Sequence, residues 1–123
     1  ICTLLDTETI RDCIGICDKL GMSALVETHD AQEMQSAVRA GARLIGVNNR
    51  NLGTFHTDVN NSFKLVDKMR GFSPLLVSES GISETDTVRR LREAGFRGFL
   101  IGETFMKTER PGDTLADFIG GLV

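Results

Sequence analysis

Four short apolar runs in this chain each end in residues that can do chemistry. Ala24-Leu25-Val26 runs into Glu27, Leu44-Ile45-Gly46-Val47 into Asn48-Asn49-Arg50, Leu75-Leu76-Val77-Ser78 into Glu79-Ser80-Gly81, and Phe99-Leu100-Ile101 into Gly102-Glu103-Thr104. A carboxyl group that closes an apolar strand is partly desolvated, which disfavours its charged form and brings its pKa towards the range useful for proton transfer. Glu27 is therefore the leading acid–base candidate. Asn48 donates and accepts hydrogen bonds without adding charge, which suits the orientation of a substrate hydroxyl, and Arg50 can meet a carboxylate in a bidentate contact. Glu79 stands at the end of its own run and joins the substrate-binding candidates, whereas Asn49 reads as turn chemistry. His29 and His56 are the only histidines and no ligand spacing links them. No metal site is expected, and His29 reads as a surface or supporting group.

The last two runs carry a second kind of signal. Ser80-Gly81-Ile82-Ser83 and Ile101-Gly102-Glu103-Thr104 each place a glycine just past a strand. There a missing Cβ lets backbone N–H groups approach an anion closely, and loops after the last strands of parallel barrels commonly hold a phosphate this way. Gly81, Gly102 and the backbone of Glu103 are the phosphate-binding candidates. The Glu103 carboxylate would repel a dianion unless it turns away or pairs with Lys107 or Arg110.

Positioning these groups requires elements that bring four strand ends to one side. A helical pattern ends at Gly21, Gly41, Gly71 and Gly95, and an apolar run follows three or four residues after each. Glycine suits the left-handed residue at a helix C-terminus. Helix spacing precedes each of them: Ile10, Cys13, Ile14, Cys17 and Leu20; Met34, Ala37 and Val38; Phe63, Val66 and Met69; Val88, Leu91 and Ala94. Asp30 with Glu33 three residues on forms a capping-box-like pair, and Asp6, Asn61 or Ser62, and Ser83 are the expected N-caps elsewhere. A last helix is expected from near Pro111, using Leu115, Phe118 and Ile119. The runs are apolar on successive residues and are never joined by a two-residue turn, as expected of parallel strands buried on both faces. Alternating strand and helix then gives an α/β fold with a parallel sheet, whose strand C-termini share one mouth.

Composition bounds the rest. A chain of 123 residues, 41% apolar and 25% charged, is one small domain or a piece of one. A closed (β/α)8 barrel usually takes around 250 residues, so a barrel reading makes this chain about half of one. The N-terminal Ile1-Cys2-Thr3-Leu4-Leu5 reads as the tail of a strand running into a loop, as in a fragment. A net charge of −3 without a Lys/Arg cluster argues against nucleic acid as a partner. No apolar run reaches membrane-spanning length and no basic-then-apolar leader is present, which argues against a membrane partner and makes cytoplasmic localisation the default. Of the three cysteines, Cys13 and Cys17 fall on one helical stripe and read as buried free thiols.

Taken in order and spacing, the segments Ala24–Asp30, Leu44–Leu52, Val77–Ile82 and Phe99–Met106 resemble strands five to eight of indole-3-glycerol-phosphate synthases, and the resemblance covers nearly the whole chain. It implies residues 1–123 as the C-terminal half of a single (β/α)8 TIM barrel with no internal domain boundary. It further implies a cofactor-free lyase of tryptophan biosynthesis that closes a ring on 1-(2-carboxyphenylamino)-1-deoxyribulose 5-phosphate with loss of CO2 and water. By the same resemblance Glu27 matches the strand-five proton-transfer carboxylate, Asn48 a substrate-binding strand-six amide, and Ser80 a strand-seven active-site hydroxyl. Gly81, Gly102 and the Glu103 backbone match the phosphate cradle, and Arg50 and Leu52 the loop after strand six. Some relatives carry serine at the position of Glu103, so a side-chain hydroxyl there would have to come from Thr104. The family's lysines and first glutamate come from strands this chain does not contain, so its expected partners are a phosphorylated small molecule and the N-terminal half or a second copy.

Two alternatives keep the same phosphate loops: a non-catalytic phosphate-binding half-barrel, and another phosphate-binding βα-barrel enzyme such as an aldolase or isomerase. A flavodoxin-like module would need an acidic cluster after the first strand, which is absent.

Overall fold

The computed structural model describes residues 1–123. A four-stranded sheet is built from β1 (Val26–Thr28), β2 (Leu44–Asn48), β3 (Leu75–Glu79) and β4 (Gly98–Leu100), in the order β1-β2-β3-β4. Every pair is parallel. Helices α1 (Thr7–Lys19), α2 (Ala31–Arg39), α3 (Asn60–Val66, continued by a 3-10 turn to Met69) and α4 (Thr85–Ala94) alternate with the strands, and α5 (Glu103–Met106) and α6 (Pro111–Gly120) follow β4. Strand order equals chain order, which is the wall of a (β/α)8 barrel cut to four strands.

The helix-ending glycines behave as the pattern requires, since Gly21, Gly41, Gly71 and Gly95 all have positive φ. Asp6 accepts from Thr9 N and Asp30 from Glu33 N, both at 2.8 Å, so these two caps are formed. Two expected caps are not. Helix α3 begins before Asn61 and Ser62, with Val59 at the cap position, and α4 is entered through Glu84 instead of Ser83; neither has a side-chain cap. Ser62 is wholly buried and its hydroxyl is used elsewhere.

Two-residue alternation along the strands sorts the side chains. Val26, Thr28, Ile45, Val47, Leu76 and Ser78 face the helices and are buried, packing with Ile10, Ile14, Met34, Ala37, Leu65, Val88, Leu91 and Phe96. The opposite face carries Leu25, Glu27, Gly46, Asn48, Leu75, Val77 and Glu79 and corresponds to a barrel lumen. It is open at both ends of the strands, with Leu25 and Leu75 exposed by 41% and 57% at their starts and Leu100 by 55% at the end of β4. The expected burial of the cysteine pair is corrected: α1 turns Cys13 to solvent and leaves Cys17 half-buried, because Ile10 and Ile14 occupy the contact stripe. Cys2 is the buried thiol, and its N–H donates to Glu27 O at 3.0 Å beside β1. On α6, Leu115 and Ile119 remain substantially exposed, while Phe118 packs edge-on against Phe105 at 5.3 Å.

Phe96 lies directly after α4, is 0% exposed, and its N–H closes the helix on Leu91 O at 3.0 Å. Truncating a buried aromatic removes transfer free energy and leaves a cavity. Phe96→Ala should therefore lower unfolding stability by about 3–5 kcal/mol in urea titrations, whereas Phe55→Ala, at an exposed loop tip, should leave it nearly unchanged.

Candidate active site

Strand register decides which polar groups meet. Glu27 pairs with Gly46 across β1 and β2, and Asn48 pairs with Glu79 across β2 and β3. All four positions lie on the lumen face. Glu79 leans back towards β2, so that a Cβ on Gly46 would come within 1.9 Å of its Oε1. That brings the Glu79 carboxyl within hydrogen-bonding reach of Glu27. Glu79 is only 2% exposed, and its Oε1 accepts from no donor. Burial first, and the Glu27 carboxyl second, push the Glu79 pKa up to about 8. Asn48 is buried and its Oδ1 accepts from Arg50 N at 2.9 Å, leaving the amide NH2 free to donate.

Beside this row opens a cleft of about 510 Å³ between the loops after β2, β3 and β4. Arg50, Thr57, Ser80, Gly81, Gly102, Glu103, Thr104 and Lys107 contribute to its wall. The loop from Asn49 to Asp58 folds back as a small hairpin in which Arg50 and Thr57 pair antiparallel and Asn51 Oδ1 accepts from Gly53 N and Thr54 N. The hairpin sets Arg50 over the cleft, with its Nε on Thr57 Oγ1 at 3.2 Å and its guanidinium on Glu103 Oε2 at 3.2 Å. Glu103 is thus neutralised by Arg50, not by Lys107 or Arg110; Arg110 instead pairs with Asp113. The Thr104 hydroxyl donates to Ile82 O at 2.5 Å, so it ties two loops together and is not a free donor in the cleft. The N–H groups of Glu103 and Thr104 open α5 without carbonyl partners.

The two glycines differ. Gly81 has φ +75°, and a Cβ there would sit 2.8 Å from Thr57 Cγ2, so the protein itself excludes a side chain. A Cβ on Gly102 would meet nothing within 4 Å. Ser80 also has positive φ, +70°, a conformation that costs a residue with a side chain roughly 1–3 kcal/mol.

What holds Ser80 there is a group that pattern reading assigned to a turn. Asn49 is 2% exposed; its Nδ2 donates to Ser78 Oγ at 3.1 Å and to Ser80 O at 3.0 Å, and its Oδ1 accepts from Ser62 N and Ser62 Oγ at 3.0 and 2.8 Å. Ser62 Oγ and Ser78 Oγ lie 2.7 Å apart. The small polar residues spaced through Asn49, Ser62 and Ser78 were the one signal for this cluster. His29 joins the ends of β1 and β2, with Nδ1 2.8 Å from Asn48 O, and Asn61 Nδ2 donates to both His29 O and Asn48 O.

The candidates therefore fall into two groups. Arg50, Ser80, Gly81, Gly102 and Glu103 line the cleft, while Glu27, Asn48 and Glu79 lie along the lumen row beside it. Leu52 is 39% exposed in the hairpin and lines neither. Thr57 and Lys107 line the cleft without having been singled out as binding residues. No three His, Cys, Asp or Glu side chains are grouped to hold a metal ion. No helix is long and apolar enough to cross a membrane.

Comparison with known proteins adds three findings. The family model described as indole-3-glycerol phosphate synthase matches residues 1–118. The indole-3-glycerol phosphate synthase of Bacteroides thetaiotaomicron is 50% identical over 122 residues, covering 99% of this chain and 46% of that protein. That of Ruminiclostridium cellulolyticum is 47% identical over 120 residues, covering 98% and 46%. The chain thus spans about half the length of the curated relatives it matches. Among solved structures, a 3-hexulose-6-phosphate synthase superposes with a TM-score of 0.75 at 15% identity, over 96% of this chain and 58% of that one. A structure described as native KDPGal superposes with a TM-score of 0.65 at 15% identity, over 96% and 52%. At such identity these two share the fold alone.

The displaced Glu79 carboxyl has a consequence for stability. Its folded pKa of about 8 lies above the ordinary 4.5, so the folded state keeps a proton that the unfolded state releases. The stabilisation is complete below pH 4.5 and is lost as pH rises through about 8. Urea midpoints measured across that window should fall with rising pH, and Glu79→Gln, neutral throughout, should flatten the fall.

Proposed function

Because the chain belongs to the indole-3-glycerol phosphate synthase family, we propose that residues 1–123 form the C-terminal half of one barrel that carries out that family's reaction. The barrel takes a phosphorylated anilino-deoxyribulose, joins its carbonyl carbon to the aromatic ring, and releases CO2 and water. The proposal places the enzyme in tryptophan biosynthesis, cytoplasmic, with no cofactor, metal, nucleic acid or membrane partner. Its other half supplies the lysines. The single observation that carries the reading is the family match over residues 1–118.

The geometry supports a division of labour. The cleft between Gly81 and Gly102 takes the phosphate: Glu103 N–H and Thr104 N–H have no carbonyl partners, Lys107 adds positive charge, and the space beside Gly102 is open. Glycine at 102 answers to no protein atom, so the proposed ligand is what requires it. Ser80 stands between cleft and lumen and directs its hydroxyl chemistry to the substrate backbone. In the lumen, Asn48 offers its free amide NH2 to a substrate hydroxyl, and Glu27 exchanges protons with the reacting ring. Arg50 reaches over the cleft and Glu79 lines the lumen as binding groups, with Leu52 on the hairpin that carries Arg50. On this reading Glu103 serves through its backbone, its carboxylate being held by Arg50.

Gly102→Val is the cleaner test of the phosphate site, because Gly81→Val would also clash with Thr57. Calorimetry with a phosphate-bearing substrate analogue should show binding at least about tenfold weaker in Gly102→Val with the unfolding midpoint unchanged; equal affinity would move the site elsewhere. In the complete barrel, Glu27→Gln should reduce kcat by about 10²–10⁴-fold with little change in KM, because a proton-transfer group acts chiefly in the transition state. Full activity of that variant would remove Glu27 from the chemistry.

A further inference from the structure

A carboxyl group withdrawn from water normally finds donors. Glu79 does not: it is 2% exposed and its Oε1 accepts from none. The side chain rises from β3 and lies back over β2 at Gly46, where a Cβ would stand 1.9 Å from Oε1 and 2.8 Å from Cδ. Glu27, in register with Gly46 on the other side, completes the line across three strands. Two carboxyl groups rooted on β1 and β3 reach each other because the residue between them has no side chain.

We propose that Glu27 and Glu79 hold a single proton between them across the bare backbone of Gly46, and that Gly46 is the positioning residue that sets their approach. The inference deepens the functional reading above and rests on it only for what the pair acts upon. Two carboxylates within hydrogen-bonding reach, one of them buried, do not both ionise; one keeps a proton and donates it to the other. That donation supplies what the geometry otherwise lacks, a hydrogen for the buried Glu79–Glu27 contact. Within residues 1–123, the charged side chain that faces Glu79 is that of Glu27. Glu27, on β1, favours its neutral form. Its neighbours in register, Asn48 on β2 and Leu100 on β4, carry no charge. Glu79 is accordingly the member that stays protonated up to about pH 8. The lumen therefore holds a protonated carboxyl at neutral pH beside a second carboxyl group that can accept from it.

The test is a carboxyl titration of the full-length protein labelled with ¹³C at glutamate carboxyls, followed by NMR without substrate. One carboxyl should titrate near pH 8 and be missing from Glu79→Gln. In Glu27→Gln, which removes the negative partner at constant size, the Glu79 titration should move down by about one unit or more. Gly46→Ala, whose methyl occupies the place of Oε1, should separate the pair and lower the Glu79 titration in the same way. If Gly46→Ala fails to fold, Glu27→Gln still decides the matter. A Glu79 that titrates in the ordinary carboxylate range in the unaltered protein, or one that Glu27→Gln leaves unmoved, would overturn the proposal. The readout needs no turnover: a shared proton in a protein without synthase activity would sink the functional reading and keep the pair, and the converse would keep the reaction and sink the pair.

Discussion

The buried amide of Asn49 occupies all of its hydrogen-bonding capacity on three different elements, and the rim of the sheet is organised around it. It takes two bonds from Ser62 on α3 and gives two to β3 and the residue after it, Ser78 and Ser80. In a low-dielectric interior a fully satisfied network of this kind fixes one geometry, since a shift of any member leaves a polar atom without a partner. The left-handed Ser80, the hairpin that begins at Arg50 and the end of β2 all derive their positions from it. The cleft is thus built from the inside outward: a buried amide sets the backbone, the backbone turns the loops, and the loops leave their N–H groups open.

Charge is arranged differently in the two halves of the site. The cleft is cationic at its edge, where Arg50 and Lys107 stand against the single carboxylate of Glu103. An exposed pair such as Arg50–Glu103 contributes little to stability, and its effect is to keep two opposite charges together at the mouth. In the lumen row Glu79 is buried, and there desolvation is strong enough to alter its protonation. A substrate that bridges the two would meet point charges at its anionic end and neutral or proton-bearing groups at its reacting end.

How much of this was legible in the sequence follows from which forces are local. Helix ends at Gly21, Gly41, Gly71 and Gly95, the caps at Asp6 and Asp30, and the strands at 44–48 and 75–79 follow from neighbours in the chain, and the pattern reading located them. The convergence of Glu27, Asn48, Glu79 and Gly102 on one rim followed from parallel strands alone. Three features depend on tertiary packing and are not legible from local pattern. Cys13 was placed inward because its spacing matches Ile10 and Ile14, but a helix laid on a sheet buries a narrower stripe than spacing allows. Ser62 looked like a cap and is a buried partner of Asn49, 13 residues away. Glu103 has Lys107 and Arg110 as local options and instead meets Arg50, 53 residues away. Gly46 passed as one more small residue in an apolar run, because nothing local reveals that a carboxyl from another strand crosses it.

The order of the strands carries a kinetic meaning. Each strand pairs with the next in the chain, so the register of the sheet is established by closing one βα unit at a time, and no contact between strands in this half waits for a distant segment. Each closure spans 19 to 31 residues, so loop-closure entropy opposes every parallel pairing before its contacts form. Assembly can therefore advance along the chain from β1 to β4 with every intermediate a shorter version of the same sheet. The outer side of β4 has no partner in this sheet, and its pairing is the one that cannot come from the next unit in this half.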